Sequence, residues 1–189
     1  MTLIRTSEPG AEPVTITELK QYLRLGHSSE DELLMGLISA AREDLERSTG
    51  LALIEQNWRL VLDDLPADGI IRLGRRPVRE VTAVTMYDAT GEPEALASTR
   101  YQLDAYSQPA RLLVKDGPQD LRPMNGIEVD FTCGYGEAGP DVPDILRRAI
   151  IQLAAHWYEF RSSYGPADQP VSYPAGYERM ISSYVERRL

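Results

Sequence analysis

The feature that most constrains this chain is a double change of hydrophobic period. Apolar residues recur at three- and four-residue steps up to about Ile54, at every second residue from about Glu55 to Gly139, and at helical steps again from about Asp141. A helix-period pattern does not settle as a strand, nor the reverse. The order therefore predicts an α+β fold: a discontinuous α-helical core, built from N- and C-terminal helices, with an inserted antiparallel β-sheet segment. The expected division is 1–54 and 140–189 for the helical core, 55–139 for the inserted β domain, and 162–174 as a linker to a C-terminal helical arm.

Local signals fill in the first part. Thr15-Ile16-Thr17-Glu18 has capping-box spacing and opens a short helix through Leu25, with Leu19, Tyr22 and Leu23 on one face. Gly26-His27-Ser28 breaks it. Ser29 to Glu32 repeats the capping-box spacing and puts acidic residues at a positive helix start. The helix that follows carries Leu34, Leu37, Ile38, Ala41 and Leu45, opposes them with Arg42, Glu43, Glu46 and Arg47, and stops at Gly50.

In the middle part Trp58, Leu60 and Leu62 alternate with Arg59, Val61 and Asp63. Further strands are predicted at Ile70 to Leu73, Val78 to Tyr87, from Tyr101 and Leu103, at Arg111 to Lys115, and from Ile127 to Cys133. The last has one dry and one wet face, as in an antiparallel sheet. The third part opens with Pro143 and Asp144. It carries Ile145, Ala149, Ile150, Leu153, Trp157 and Phe160 at helical spacing to about Arg161. A final helix carries Tyr177, Met180, Ile181, Tyr184 and Val185 and ends in Arg187-Arg188. Neither long helix can bury its apolar face alone, so the two should pack together.

Charge and composition narrow the function. The formal net charge is −9, opposite in sign to the basic footprint of a protein that grips duplex DNA, but compatible with DNA sliding past. Cys133 is the single cysteine, so no internal disulfide forms. The N-terminus has no apolar run of signal-peptide length and no stretch suits a membrane span, so a soluble protein made in the cytoplasm is expected, with no membrane partner.

Catalytic and ligand motifs are absent: there is no phosphate-cradling glycine loop, no HExxH, no nucleophile elbow and no calcium loop. Cys133 and His156 could form a nucleophile–base pair only if they met in space; an inert buried thiol and a helix-packing histidine explain them more simply. Glu30, Asp31 and Glu32 could hold a cation, yet helix-start electrostatics accounts for them. Asp63 and Asp64 could serve a metal or acid–base site, against a solvated strand end. No catalytic, cofactor-binding or metal-binding residue is assigned, and no cofactor is expected.

Two features ask for a partner. Arg72, Arg75, Arg76 and Arg79 lie close together in an acidic chain. They read either as a charged strand edge that blocks stray pairing or as a contact with a neighbouring subunit or DNA phosphates. The final helix, with Tyr173, Tyr177, Met180, Ile181 and Tyr184, either packs on its own core or docks on a partner through aromatic and Met anchors.

The residues also resemble a known family. Val14-Thr15-Ile16-Thr17-Glu18-Leu19-Lys20, Leu23-Arg24-Leu25, and Leu37-Ile38-Ser39-Ala40-Ala41-Arg42-Glu43 followed by Glu46, Thr49-Gly50 and Gln56-Asn57-Trp58 resemble the first half of phage head–tail connector proteins. Phe131-Thr132-Cys133-Gly134-Tyr135-Gly136, Val142-Pro143, Ala149-Ile150-Ile151-Gln152-Leu153 and His156-Trp157-Tyr158 are similar to their second half. The version with a β insertion, found in prophages and gene transfer agents, fits best. The resemblance implies a structural adaptor without catalysis. Twelve copies would form a ring under the portal protein, extend the DNA channel, let double-stranded DNA pass without holding it, and receive a tail-side stopper or head-completion protein. The residues themselves, rather than the resemblance, offer the arm from Tyr173 onward as a candidate for docking on the portal. Two other classes stay open on the residues: a small metal-dependent DNA-processing hydrolase using Asp63 and Asp64, and a DNA-binding regulatory module using Arg75 and Arg76.

Overall fold

A computed structural model describes residues 1–115, 120–160 and 173–185. The chain divides into two compact units, Met1–Gly10 with Glu55–Tyr135, and Ala11–Ile54 with Gly136–Leu189.

The first unit is β. Its larger sheet has the order β1-β2-β8-β4-β5 from strands Thr2–Arg5 (β1), Gln56–Leu62 (β2), Ile127–Cys133 (β8), Val78–Tyr87 (β4) and Pro93–Ala95 (β5). Every pairing is antiparallel, with Trp58 opposite Phe131 and Leu60 opposite Val129. The predicted alternation puts Leu60, Val84, Met86, Val129 and Phe131 inside. A smaller sheet, β3-β7-β6, joins Ile70–Leu73 (β3), Ala110–Val114 (β7) and Tyr101–Asp104 (β6). Its inner face is Ile71, Leu73, Ala110, Leu112 and Val114.

Strand β1 departs from the expected division, which gave residues 1–54 to the helical core. Leu3 pairs with Leu60 and Arg5 with Trp58 across the sheet edge. Four residues are too few for a period to show, and the pairing spans more than fifty positions of sequence.

The second unit is helical: Ile16–Leu23 (α1), Asp31–Thr49 (α2), Asp144–Glu159 (α3) and Tyr177–Ile181 (α4). As expected, α2 packs on α3, with Leu34, Ile38, Ala41 and Leu45 on one side and Leu146, Ala149, Ile150 and Leu153 on the other all buried. The first capping box forms as written: the Glu18 N–H donates to the Thr15 hydroxyl, and the Thr15 N–H donates to the Glu18 carboxylate. Helix α1 ends two residues early because Arg24 takes the left-handed conformation, φ 58°.

The second capping box does not form. Ser29 is hydrogen-bonded to His27 Nδ1 rather than capping, and Glu30 occupies the N-cap without a side-chain cap bond. Glu30 and Asp31 have tertiary partners: Tyr158 donates to Glu30 at 2.5 Å and Lys20 to Asp31 at 2.9 Å. Pro143 stands just before α3 rather than inside its first turn. The final helix is a single short element ending at Ile181, and Arg187 and Arg188 lie outside the described residues, as does most of the 162–174 segment.

A buried ionic network closes the helical unit. Arg42, only 3 % exposed, donates to Glu46 at 3.1 Å, to Glu12 at 2.8 Å and to Ser39 at 3.2 Å. Glu46 also accepts the Leu53 N–H at 2.7 Å. One arginine thus ties the segment before α1, helix α2 and the stretch leaving it. Gly136 is required where it stands, because a Cβ there would lie 2.2 Å from Asp141 Oδ2, the oxygen that accepts the Ala138 N–H.

Candidate interaction surfaces

The four clustered arginines are not one surface. Arg72 projects from the outer face of β3 with its side chain 59 % exposed, 3.8 Å from Asp68. Arg75 lies 4.5 Å over the Trp58 ring as a cation–π partner. Arg76 donates to Gln108 at 2.8 Å, and Arg79 pairs with Glu55 at 3.1 Å. Strand alternation and the turn between β3 and β4 spread them, so Arg75 and Arg76 serve the unit's own packing while Arg72 and Arg79 stay exposed.

The C-terminal segment is likewise divided. Tyr177 is 1 % exposed and Ile181 is buried, so both take the self-packing reading rather than the docking one, and α4 packs on α3. Tyr173 stacks on Tyr177 with ring centroids 5.2 Å apart, and its hydroxyl reaches Asp44 at 3.4 Å. Burial first, and then the nearby Asp44 charge, push the Tyr177 phenol far above its ordinary value. Met180 and Tyr184 are half-buried.

Several of the residues weighed for chemistry have structural work. Asp63 accepts the Asn125 N–H at 2.9 Å. Cys133 is buried in β8, its thiol 3.9 Å from the Gln56 carbonyl, and His156 on α3 packs against Phe160 at 4.7 Å. Among the described residues no three His, Cys, Asp or Glu side chains group as metal ligands, and no helix is long and apolar enough to cross a membrane.

Sequence reasoning missed the outer face of the small sheet. Strand pairing sets Ile70, Leu113 and Gln102 in one row and Arg72, Arg111 and Asp104 in the next. Ile70, Gln102, Asp104, Arg111 and Leu113 line a shallow depression of ≈ 330 Å³. Beside it, Tyr106 is 98 % exposed on a turn whose Tyr106 and Ser107 N–H groups donate to Asp104. The Arg111 hydrogen bond first, then those backbone donors, hold the Asp104 carboxyl below its ordinary range. The legible signal was Leu113, an apolar residue at an outward position of an alternating strand.

The described residues thus present a β unit and a helical unit, each with exposed mixed faces. Comparison with known proteins gives the class. The family model of phage gp6-like head–tail connector proteins matches residues 13–85. Chains of three solved particle structures match over 100 % of this chain and 97 % of their own. They come from the virion of a native gene transfer agent particle (28 % identity, TM-score 0.83), the neck of an empty particle computed with C6 symmetry (27 %, 0.81) and the neck of a native particle computed with C12 symmetry (26 %, 0.80). No curated protein matches the chain. The resemblance to head–tail connectors drawn from the sequence is borne out, and these matches support a structural connector role for the chain.

Proposed function

We propose that this protein is a neck subunit of a tailed phage or gene transfer agent particle. Copies close into a ring of twelve beneath the portal, extend the DNA channel, and receive a tail-side stopper. The observation that carries this is the match along the whole chain, both units included, to chains of gene transfer agent particles, one of them a neck computed with C12 symmetry. Repeated contacts of modest strength suffice, since a closed ring multiplies them. The net charge of −9 suits a channel wall from which DNA slides free.

In this reading the protein works without catalysis, and several of its carboxylates hold structural hydrogen bonds: Glu18 in its capping box, Glu30 to Tyr158 and Asp63 to the Asn125 N–H. Arg72 and Arg79 contact neighbouring subunits. The C-terminal segment meets the portal through Met180 and Tyr184, while Tyr177 and Ile181 fasten it to its own unit.

Deleting the gene from a particle-producing strain tests the reading. Filled heads should accumulate without tails, and complementation should restore complete particles with this protein in their necks. Complete, DNA-delivering particles made in its absence would overturn it.

A further inference from the structure

The outer face of the small sheet has the composition of a binding surface. Arg72 and Arg111 are directly opposed across β3 and β7, and like charges so placed destabilise a sheet that stays bare. Asp104 pairs with Arg111 at 2.6 Å, whereas Arg72 has its carboxylate, Asp68, 3.8 Å away. Next to this charged row run Ile70 and Leu113, the latter 39 % exposed, along the rim of the depression. An occupant that fits brings anionic groups to the arginines and apolar surface to the other row. A phosphate backbone supplies only the first.

The exposed stripe of α2 offers that chemistry. Glu32, Gly36, Ala40 and Glu43 follow one another at three- and four-residue steps, with Leu33 alongside, and all are exposed. A Cβ on Gly36 would meet nothing within 4 Å, so a neighbour has room to approach closely. Glu43 lies 3.7 Å from Arg42 Nη2, and Arg47, further along, is already paired with Asp44 at 2.8 Å. The stripe is therefore acidic at both flanks and small or apolar between them.

We propose that the outer face of β3-β7-β6 in one copy docks on the exposed stripe of α2 in the next copy, Arg72 and Arg111 facing Glu32 and Glu43. Two different faces make a head-to-tail contact, the kind that cyclic symmetry closes into a ring. The proposal rests on the ring reading above, in which the neighbours are copies of this chain, as the C12 symmetry of a matched neck suggests.

Charge reversal in a particle-producing strain tests it. R72E/R111E and E32K/E43K should each lower the copies of this protein per purified particle by about tenfold or more, since every interface then opposes like charges. Co-expressing the two variants should restore parental incorporation, because each sheet face then meets a helix face of opposite sign in an alternating ring. The proposal is overturned if either variant alone incorporates like the parent, or if co-expression fails to rescue variants that melt like the parent. It is equally overturned if the variants' defect is instead a loss of salt-dependent duplex DNA binding. Should a charge variant melt early, L113C/A40C decides: oxidised particles should yield a ladder of cross-linked copies that neither single variant gives, and its absence sinks the pairing. Parental protein missing from particles altogether would refute the ring itself, a distinct outcome.

Discussion

The buried network around Arg42 gives the sharpest test of how the helical unit is held. Glu46 does two things there: it faces Arg42 at 3.1 Å and accepts the Leu53 N–H at 2.7 Å. Replacing it by alanine removes both. The orphaned, buried Leu53 N–H costs about 1–3 kcal/mol. The Arg42 charge keeps Glu12 but loses its inner partner, a charge-assisted bond worth about 1.5–3 kcal/mol. The sum agrees with the roughly 3–5 kcal/mol typical of breaking a buried pair from one side. At about 2–4 °C per kcal/mol for a chain of this size, Glu46→Ala should lower the melting temperature by roughly 6–20 °C. Glu46→Gln keeps an acceptor for Leu53 and should lose only about half as much free energy. The double variant Arg42→Met/Glu46→Gln removes the charge pair together and should be more stable than Glu46→Ala. Circular dichroism melts of the four proteins decide. The reasoning is refuted if Glu46→Ala melts with the parent, or if Glu46→Gln is as damaging as Glu46→Ala.

Other outcomes follow from single contacts. Tyr177→Phe should leave stability equal or higher at neutral pH, because the buried Tyr177 hydroxyl has no hydrogen-bond partner among the described residues; a urea titration showing a loss above about 1 kcal/mol, roughly the worth of one such bond, would contradict this. The same phenol has a folded pKa above its unfolded one. Its contribution is therefore complete below about pH 10, the unfolded value, and declines as pH rises beyond it, so Tyr177→Phe should blunt alkaline destabilisation in melts between neutral and high pH. Gly136→Ala should destabilise by about 1–3 kcal/mol through its clash with Asp141, measured by urea unfolding, and parental stability would show that the 136–141 turn yields freely. Asp104→Ala should speed amide exchange at Tyr106 and Ser107, whose N–H groups it holds; unchanged exchange would mean that the turn does not depend on it.

The helical unit was largely legible because its signals are local. Apolar spacing located α2 and α3, and the Thr15–Glu18 capping box closes within its own turn. The same spacing at Ser29–Glu32 misled, since Ser29 is hydrogen-bonded to His27 and the helix starts one residue later, with Glu30 at its N-cap. Strand existence was legible for most of the β unit, but partner choice was not. Nothing in Thr2–Arg5 announces that it will pair with Trp58 to Val61. The interaction surfaces were least legible: a cluster of four arginines in sequence became four separate environments, while Arg111, from another strand, came to face Arg72.

By itself the sequence determined the order of helix, sheet and helix, the faces that must be buried, and the likeness to head–tail connectors. Those depend on periods and short-range bonds that a chain carries before it folds. The tertiary structure alone decided which charges are spent inside and which remain for a neighbour. It drew Glu46 and Tyr177 into the interior and left Arg72, Leu113 and Tyr106 outside. A side chain's availability is set by what packs against it, and that packing comes from residues far away along the chain.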